Sequence, residues 1–107
     1  MSVLLVITNC PNQPVAERIA QALVETRLAA CVNILAPCIS VYRWQGAIES
    51  ANEIPLLIKT RAECYAALEA AISRLHPYEV PEIVALPVER GLPAYLAWVA
   101  GETGEEG

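Results

Sequence analysis

The chain has no phenylalanine and only one histidine, His76, among its 107 residues. It has no CxxC pair, no glycine-rich loop, no cluster of basic residues, and no apolar run near the roughly 20 residues that a membrane span needs. Each absence removes a class of function. The four cysteines, Cys10, Cys31, Cys38 and Cys64, are spaced too irregularly for a zinc knuckle. Seven basic residues, scattered singly against twelve acidic ones, give a formal charge of −5, so a phosphate backbone is not the expected partner and nucleic acid is set aside. MSVLLVITNC carries no basic leader and is interrupted by Thr8 and Asn9, so it reads as a first strand and not as a signal peptide or membrane segment. The expected location is the cytoplasm, where the cysteines stay reduced.

What remains is enough for a folded domain. Hydrophobic residues make up 55% of the chain and charged residues 18%, which excludes a disordered chain. At this length one domain is expected, over residues 1–101, with the acidic segment 102–107 (ETGEEG) as a fraying tail.

The run Val3–Ile7 is apolar and partly β-branched, as in a strand buried on both faces. Pro11 lies in a turn over residues 9–12 that includes Cys10. Val15, Ile19 and Leu23 then recur at helical spacing over residues 13–27, with Glu17, Arg18, Gln21 and Glu25 on the other face. AACVNILAPCISVYRW reads as one long strand in which Pro37 marks a bulge or an edge. Gln45–Gly46 turns the chain, and AIESANEIPLLIKT returns beside it with Pro55 near that bulge. Thr60 and Glu63 have the spacing of a capping box for a second helix, which His76 ends because Pro77 follows it. EIVALPV is a fourth strand, and GLPAYLAWVA a short helix with proline near its start.

This order predicts an α+β fold, a ferredoxin-like βαββαβ sandwich with a long central hairpin and a short C-terminal helix. The hairpin arms, about 14 residues each, exceed ordinary strands. Their far end carries Tyr42 and Trp44 as candidate subunit-interface anchors. An exposed two-stranded ribbon tends to pair with other chains, so a closed oligomer is expected.

ERIAQALVETRLAACVNI, YRWQGAIE, LLIKT and LHPYEVPEIVALPVERGLPAYLAWV together resemble the CutA family of divalent-cation tolerance proteins over about residues 3–99. The resemblance implies a ferredoxin-like homotrimer, related in architecture to the PII signalling proteins, in the bacterial cytoplasm. It also implies binding of copper, Cu(II), or another divalent cation, with no organic cofactor. Family members credited with copper ligands use a cysteine near the end of the first strand, a histidine just before the HPY motif, and the glutamate of the PE pair. Here those positions hold Thr8, Leu75 and Glu82.

The metal candidates are therefore Glu82, with His76 and Cys10 standing close in sequence to the two replaced ligands. Imidazole suits Cu(II) and Zn(II), and carboxylates complete such sites. The competing account of His76 is a helix terminus, where a cation favours the dipole. Lys59, Tyr78 and Glu79 are candidate cleft residues. Lys59 either snorkels to solvent or pairs with Glu79 or Glu82, in the same or an adjacent subunit. Tyr78 packs between subunits with its hydroxyl on something polar. Glu79 and Glu82 are an acid–base pair or simply solvated carboxylates. The cysteines read as small buried hydrophobes, Cys10 as the most reactive.

Two functions compete. One is a non-enzymatic trimer of divalent-cation tolerance that binds metal ions or a small ligand between subunits. The other is a PII-like sensor of a nucleotide or anionic metabolite, which needs Arg43, Lys59 and Arg61 to converge. A hydrolase using Glu79 or Glu82 ranks last, because no nucleophile is supplied, and no catalytic residue is assigned.

Overall fold

In a computed structural model, residues 2–104 are described. Five strands and three helices follow in the order β1 (Val3–Cys10), α1 (Gln13–Glu25), β2 (Cys31–Ile34), β3 (Cys38–Trp44), β4 (Ala47–Arg61), α2 (Tyr65–Leu75), β5 (Ile83–Pro87) and α3 (Pro93–Glu102). The architecture is mixed α+β. Strands β2, β4, β1 and β5 lie side by side in that order, antiparallel throughout, and β3 pairs with β4 alone.

Alternation along the central strands decides which face is the core. Val6, Thr8 and Cys10 of β1 and Ile54, Leu56, Ile58 and Thr60 of β4 are buried. All of these except the two threonines join Ile19 and Leu23 of α1 and Leu68 and Ile72 of α2 in one cluster. Val3, Val99 and Thr103 are buried too, but outside that cluster; α3 contacts β1 and β4 there.

The chain ends of the elements have local causes. Asn12 caps α1, its side-chain oxygen accepting from the Val15 amide at 3.0 Å. At the other end Arg27 takes a left-handed φ of 61°. The Leu28 amide bonds the Leu23 carbonyl and the Arg27 amide that of Val24, the paired bonds of a Schellman cap with arginine where glycine is usual. His76 stops α2 in extended backbone (φ −83°, ψ 134°), as Pro77 requires.

The expected long strand is two strands. Ile34 faces Leu56 and Cys38 faces Glu53, so residues 35–37 oppose only 54 and 55. That is one extra residue on the first arm, a bulge, with Pro37 in it and Pro55 across from it. Beyond the bulge, β3 and residues 47–53 of β4 leave the sheet as a two-stranded ribbon. Gln45 (φ 48°) and Gly46 (φ 83°) close it in a two-residue turn with both φ positive. The ribbon makes the molecule long, 47 Å against 25 and 23 Å.

Three expectations need correction. Thr60 does not cap a helix: it lies in β4 and its hydroxyl donates to the Leu28 carbonyl at 2.7 Å. A short 3-10 turn, Ala62–Cys64, precedes α2 without a side-chain cap. Cys10 is not in a turn, because pairing with Ile54 carries β1 through it. The terminal segment is docked as far as Gly104: Glu102 closes α3, Thr103 is buried, and Arg27 donates to the carbonyls of Gly101 and Gly104 at 2.8 and 2.9 Å. Arg61 donates to the Thr103 carbonyl at 2.8 Å. Residues 105–107 lie outside the described residues.

Candidate functional site: an acidic, aromatic cleft

One face of the ribbon and the segment 78–82 enclose a cleft of about 710 Å3, within the usual size range of small-ligand sites. Alternation in the ribbon puts Tyr42 directly opposite Glu49, with Trp44 and Glu53 on the same face. Proline-stiffened chain brings Tyr78, Glu79 and Glu82 to the other wall. Four carboxylates and three aromatic rings thus share one space, and no lysine, arginine or histidine lines it.

Behind the cleft is a hydrogen-bonded support. His76 is buried, its Nε2 lies 2.7 Å from the Asn9 carbonyl, and its Nδ1 accepts from the Tyr78 amide at 3.2 Å. The two bonds together assign the proton to Nε2. The rings of His76 and Tyr78 pack at 4.6 Å. The Asn9 side chain donates to Glu82 Oε1 at 3.1 Å, so the end of strand β1 holds both the histidine and the glutamate. On the far side, the Tyr78 hydroxyl donates to Glu53 Oε2 at 3.1 Å. Burial, then the hydrogen bond to Glu53 and its charge, push the phenol up to about 12. Burial first, and the charge of Glu53 second, push the Cys10 thiol up to about 11.

Five of the eight candidate residues therefore come together in the cleft: Tyr42, Trp44, Tyr78, Glu79 and Glu82. Three do not line it. His76 supports it from behind with both ring nitrogens engaged. Cys10 is fully buried on the core face of β1, and a thiol held protonated is neither the nucleophile nor the metal ligand that a thiolate is. Lys59 hydrogen-bonds Asn33 Oδ1 on the neighbouring strand, so within the chain it pairs with neither Glu79 nor Glu82.

Two residues of the cleft and its support escaped the sequence. Glu53 sits in the stretch read only as the returning strand, and it is bonded by Tyr78, 25 residues away. Asn9 reads as a turn residue; only the extension of β1 through Cys10 reveals what it holds.

The cations that an anionic ligand would need are dispersed. Arg43 points away from Tyr42 and Trp44 by strand alternation, and its partner Ile48 lies eleven residues from Lys59 along β4, roughly 36 Å at the ordinary rise. Arg61 is engaged with the Thr103 carbonyl.

A family model described as CutA1 divalent ion tolerance protein matches residues 4–102. The chain belongs to the CutA family. Mouse protein CutA is 49% identical over 98 residues, which are 92% of this chain and 55% of the mouse protein. The chain spans 55–64% of the length of the animal relatives it matches. The divalent-cation tolerance protein CutA of Thermus thermophilus is 48% identical over 94% of this chain and 97% of its own length. A solved structure of the divalent cation tolerance protein from that same species superposes with a TM-score of 0.94 at 47% identity, covering 95% of this chain and 99% of that one. A CutA structure from Archaeoglobus fulgidus, described as periplasmic, has a TM-score of 0.88 at 41% identity, covering 91% and 94%. That description leaves the expected cytoplasmic location unsupported by kinship, and no helix among the described residues is long and apolar enough to cross a membrane.

Set against this CutA chain, the expected copper donors do not fit. Thr8 is buried on the core face, its hydroxyl without a partner among the described residues. Leu75 has no donor, His76 has no free nitrogen, and Cys10 is held as a thiol. Only Glu82 offers a ligand atom, one oxygen of which is on Asn9. Among the described residues no three His, Cys, Asp or Glu side chains converge on a point where an ion could sit.

Proposed function

We propose that this CutA chain is a non-enzymatic homotrimer of divalent-cation tolerance, a ferredoxin-like sandwich that takes cations at carboxylate-walled clefts between its subunits. One observation carries the reading: Glu49, Glu53, Glu79 and Glu82 line one cleft that contains no cationic side chain. Such a space has a field of one sign and concentrates cations. Oxygen donors suit hard ions such as Mg2+, Ca2+ or Mn2+, whereas copper favours the imidazole and thiolate that are engaged or buried here. One chain brings too few donors to a point, so a neighbouring copy completes the coordination. The exposed rings of Tyr42, Trp44 and Tyr78 beside the cleft supply the apolar margin at which such a copy sits. The anion-sensor reading has no comparable support, since its three cations are dispersed.

The test is metal retained per chain by elemental analysis of gel-filtered protein, after loading with Mn2+ or Cu(II) against zinc, with mass by light scattering alongside. The expected result is a trimer that binds Mn2+ reversibly, several-fold more weakly in Glu79→Gln and Glu82→Gln, and that holds no zinc-resistant copper. Stoichiometric copper surviving gel filtration, or a monomeric mass at micromolar concentration, would overturn the reading.

A further inference from the structure

Glu53 has no cationic partner among the described residues. The residue is 8% exposed, and one of its carboxyl oxygens accepts from the neutral hydroxyl of Tyr78. Among the described residues its other oxygen accepts no hydrogen bond, and no lysine, arginine or histidine forms an ion pair with it. That second oxygen is not closed off from solvent, so it faces the cleft as an acceptor with no cation opposite it. Its position is the wall of the cleft, with the rings of Tyr42, Trp44 and Tyr78 beside it. Glu49, Glu79 and Glu82 stand exposed at the rim.

Two features set the class of ligand. The carboxylates sit at different depths and no three acidic, cysteine or histidine side chains among the described residues converge. A single divalent ion gathers several oxygens within about 2.0–2.6 Å, a cluster that these carboxylates do not form. The surface between the carboxylates is aromatic; ring faces attract ammonium groups, and methylenes pack against them. Charge spaced along an alkyl chain answers both features. We infer that the cleft binds a linear alkyl polyammonium ion, with one charged nitrogen at Glu53 and the others at the rim glutamates. The inference rests on the reading of the cleft as a cation site, and it does not need a metal.

Spermidine is the probe, titrated calorimetrically into the full chain at about 0.1 M salt, with Mg2+ and Mn2+ at matched charge and the mass checked by light scattering. One spermidine per chain is expected, bound at least about tenfold more weakly by Glu53→Gln, which removes the buried charge and keeps an acceptor for Tyr78. Glu49→Gln, on the exposed rim, weakens it about two- to fivefold and carries the test if Glu53→Gln fails to fold. Spermidine binding without divalent-ion binding upholds the inference and removes the metal reading of the cleft. Metal binding to a chain that ignores spermidine does the reverse. The inference is also overturned if Glu53→Gln binds spermidine as wild type does, if Mg2+ displaces it at equal charge, or if an intact trimer excludes it because a neighbour fills the cleft.

Discussion

At the scale of single residues, the side chains that look most reactive in the sequence are the ones the fold has silenced. Cys10 is a small hydrophobe at the end of β1, wholly buried, and its thiol is pushed up to about 11. The sign of the consequence follows from proton counting. Between about pH 9 and pH 11 the unfolded chain loses the thiol proton while the folded chain keeps it, so stability falls as pH rises. The whole effect is on the order of 2–3 kcal/mol and is absent below the unfolded value. Urea midpoints at pH 8 and pH 10.5, at fixed protein concentration, are expected to drop further in wild type than in Cys10→Val. An equal drop in both would place the alkaline sensitivity elsewhere, first at Tyr78, whose phenol is raised as well. His76 is engaged in a different way: its two ring nitrogens complete backbone groups of β1 and of the turn after α2, not the carbonyls that end α2.

At the scale of elements, the boundary between α1 and β2 shows why an arginine stands where glycine is the ordinary choice. Left-handed backbone at Arg27 costs about 1 kcal/mol relative to glycine. Its guanidinium offsets that by donating to two carbonyls at the C-terminal end of α3, each such charged bond contributing roughly 1.5–3 kcal/mol. The pairing with Glu102 at 3.8 Å is exposed and adds little. Arg27→Gly should therefore leave the α1 cap intact and release α3: amide exchange over residues 99–104 is expected to quicken about tenfold or more while α1 keeps its protection. Unchanged exchange in α3 would mean that the packing of Val99 holds it without the clamp. None of this is written in the sequence, because the partners lie more than 70 residues apart. What could be read there was periodic or carried by proline. The strand alternation, the helix faces, the stop at His76 and the bulge at Pro37 and Pro55 all follow from local rules. The capping-box pattern at Thr60 misled because β4 runs on past the point where a shorter strand would have ended. Lys59 is set beside Asn33 by register and not by sequence distance. Glu53 shows the general limit: a carboxylate's burial depends on which distant segment folds over it.

At the scale of the whole molecule, the ribbon is the feature a lone chain explains worst. It has no helix on either face. One side lines the cleft, whose margin Val41 also reaches, and the other presents Ile39, Val41 and Ile48, about 70% exposed each. Isolated two-stranded ribbons are marginal in water, and β-branched residues gathered on one open face invite a partner. Covering Ile39 and Val41 in a neighbour's surface is worth roughly 3–6 kcal/mol per contact, ample to separate an oligomer from its monomers when lost. Each copy carries a formal charge of −5, so the choice of substitution matters. Glutamates on that face would mix lost burial with added repulsion. Lysines at the two positions lower the net charge to −3 and ease long-range repulsion between copies, so dissociation would report the missing apolar contact. The Ile39→Lys, Val41→Lys double variant is expected to shift the proposed trimer toward monomer by light scattering at micromolar concentration. Its helical signal should stay near wild type, because the core of α1, α2 and the sheet contains neither residue. A variant that remains a trimer would move the contact to the other exposed apolar surfaces, β5 with Val84 and Leu86 and α3 with Trp98 and its N-cap Leu92. The ribbon would then serve the cleft alone, and Tyr42 and Trp44 would be ligand-facing residues on an arm that no neighbour supports.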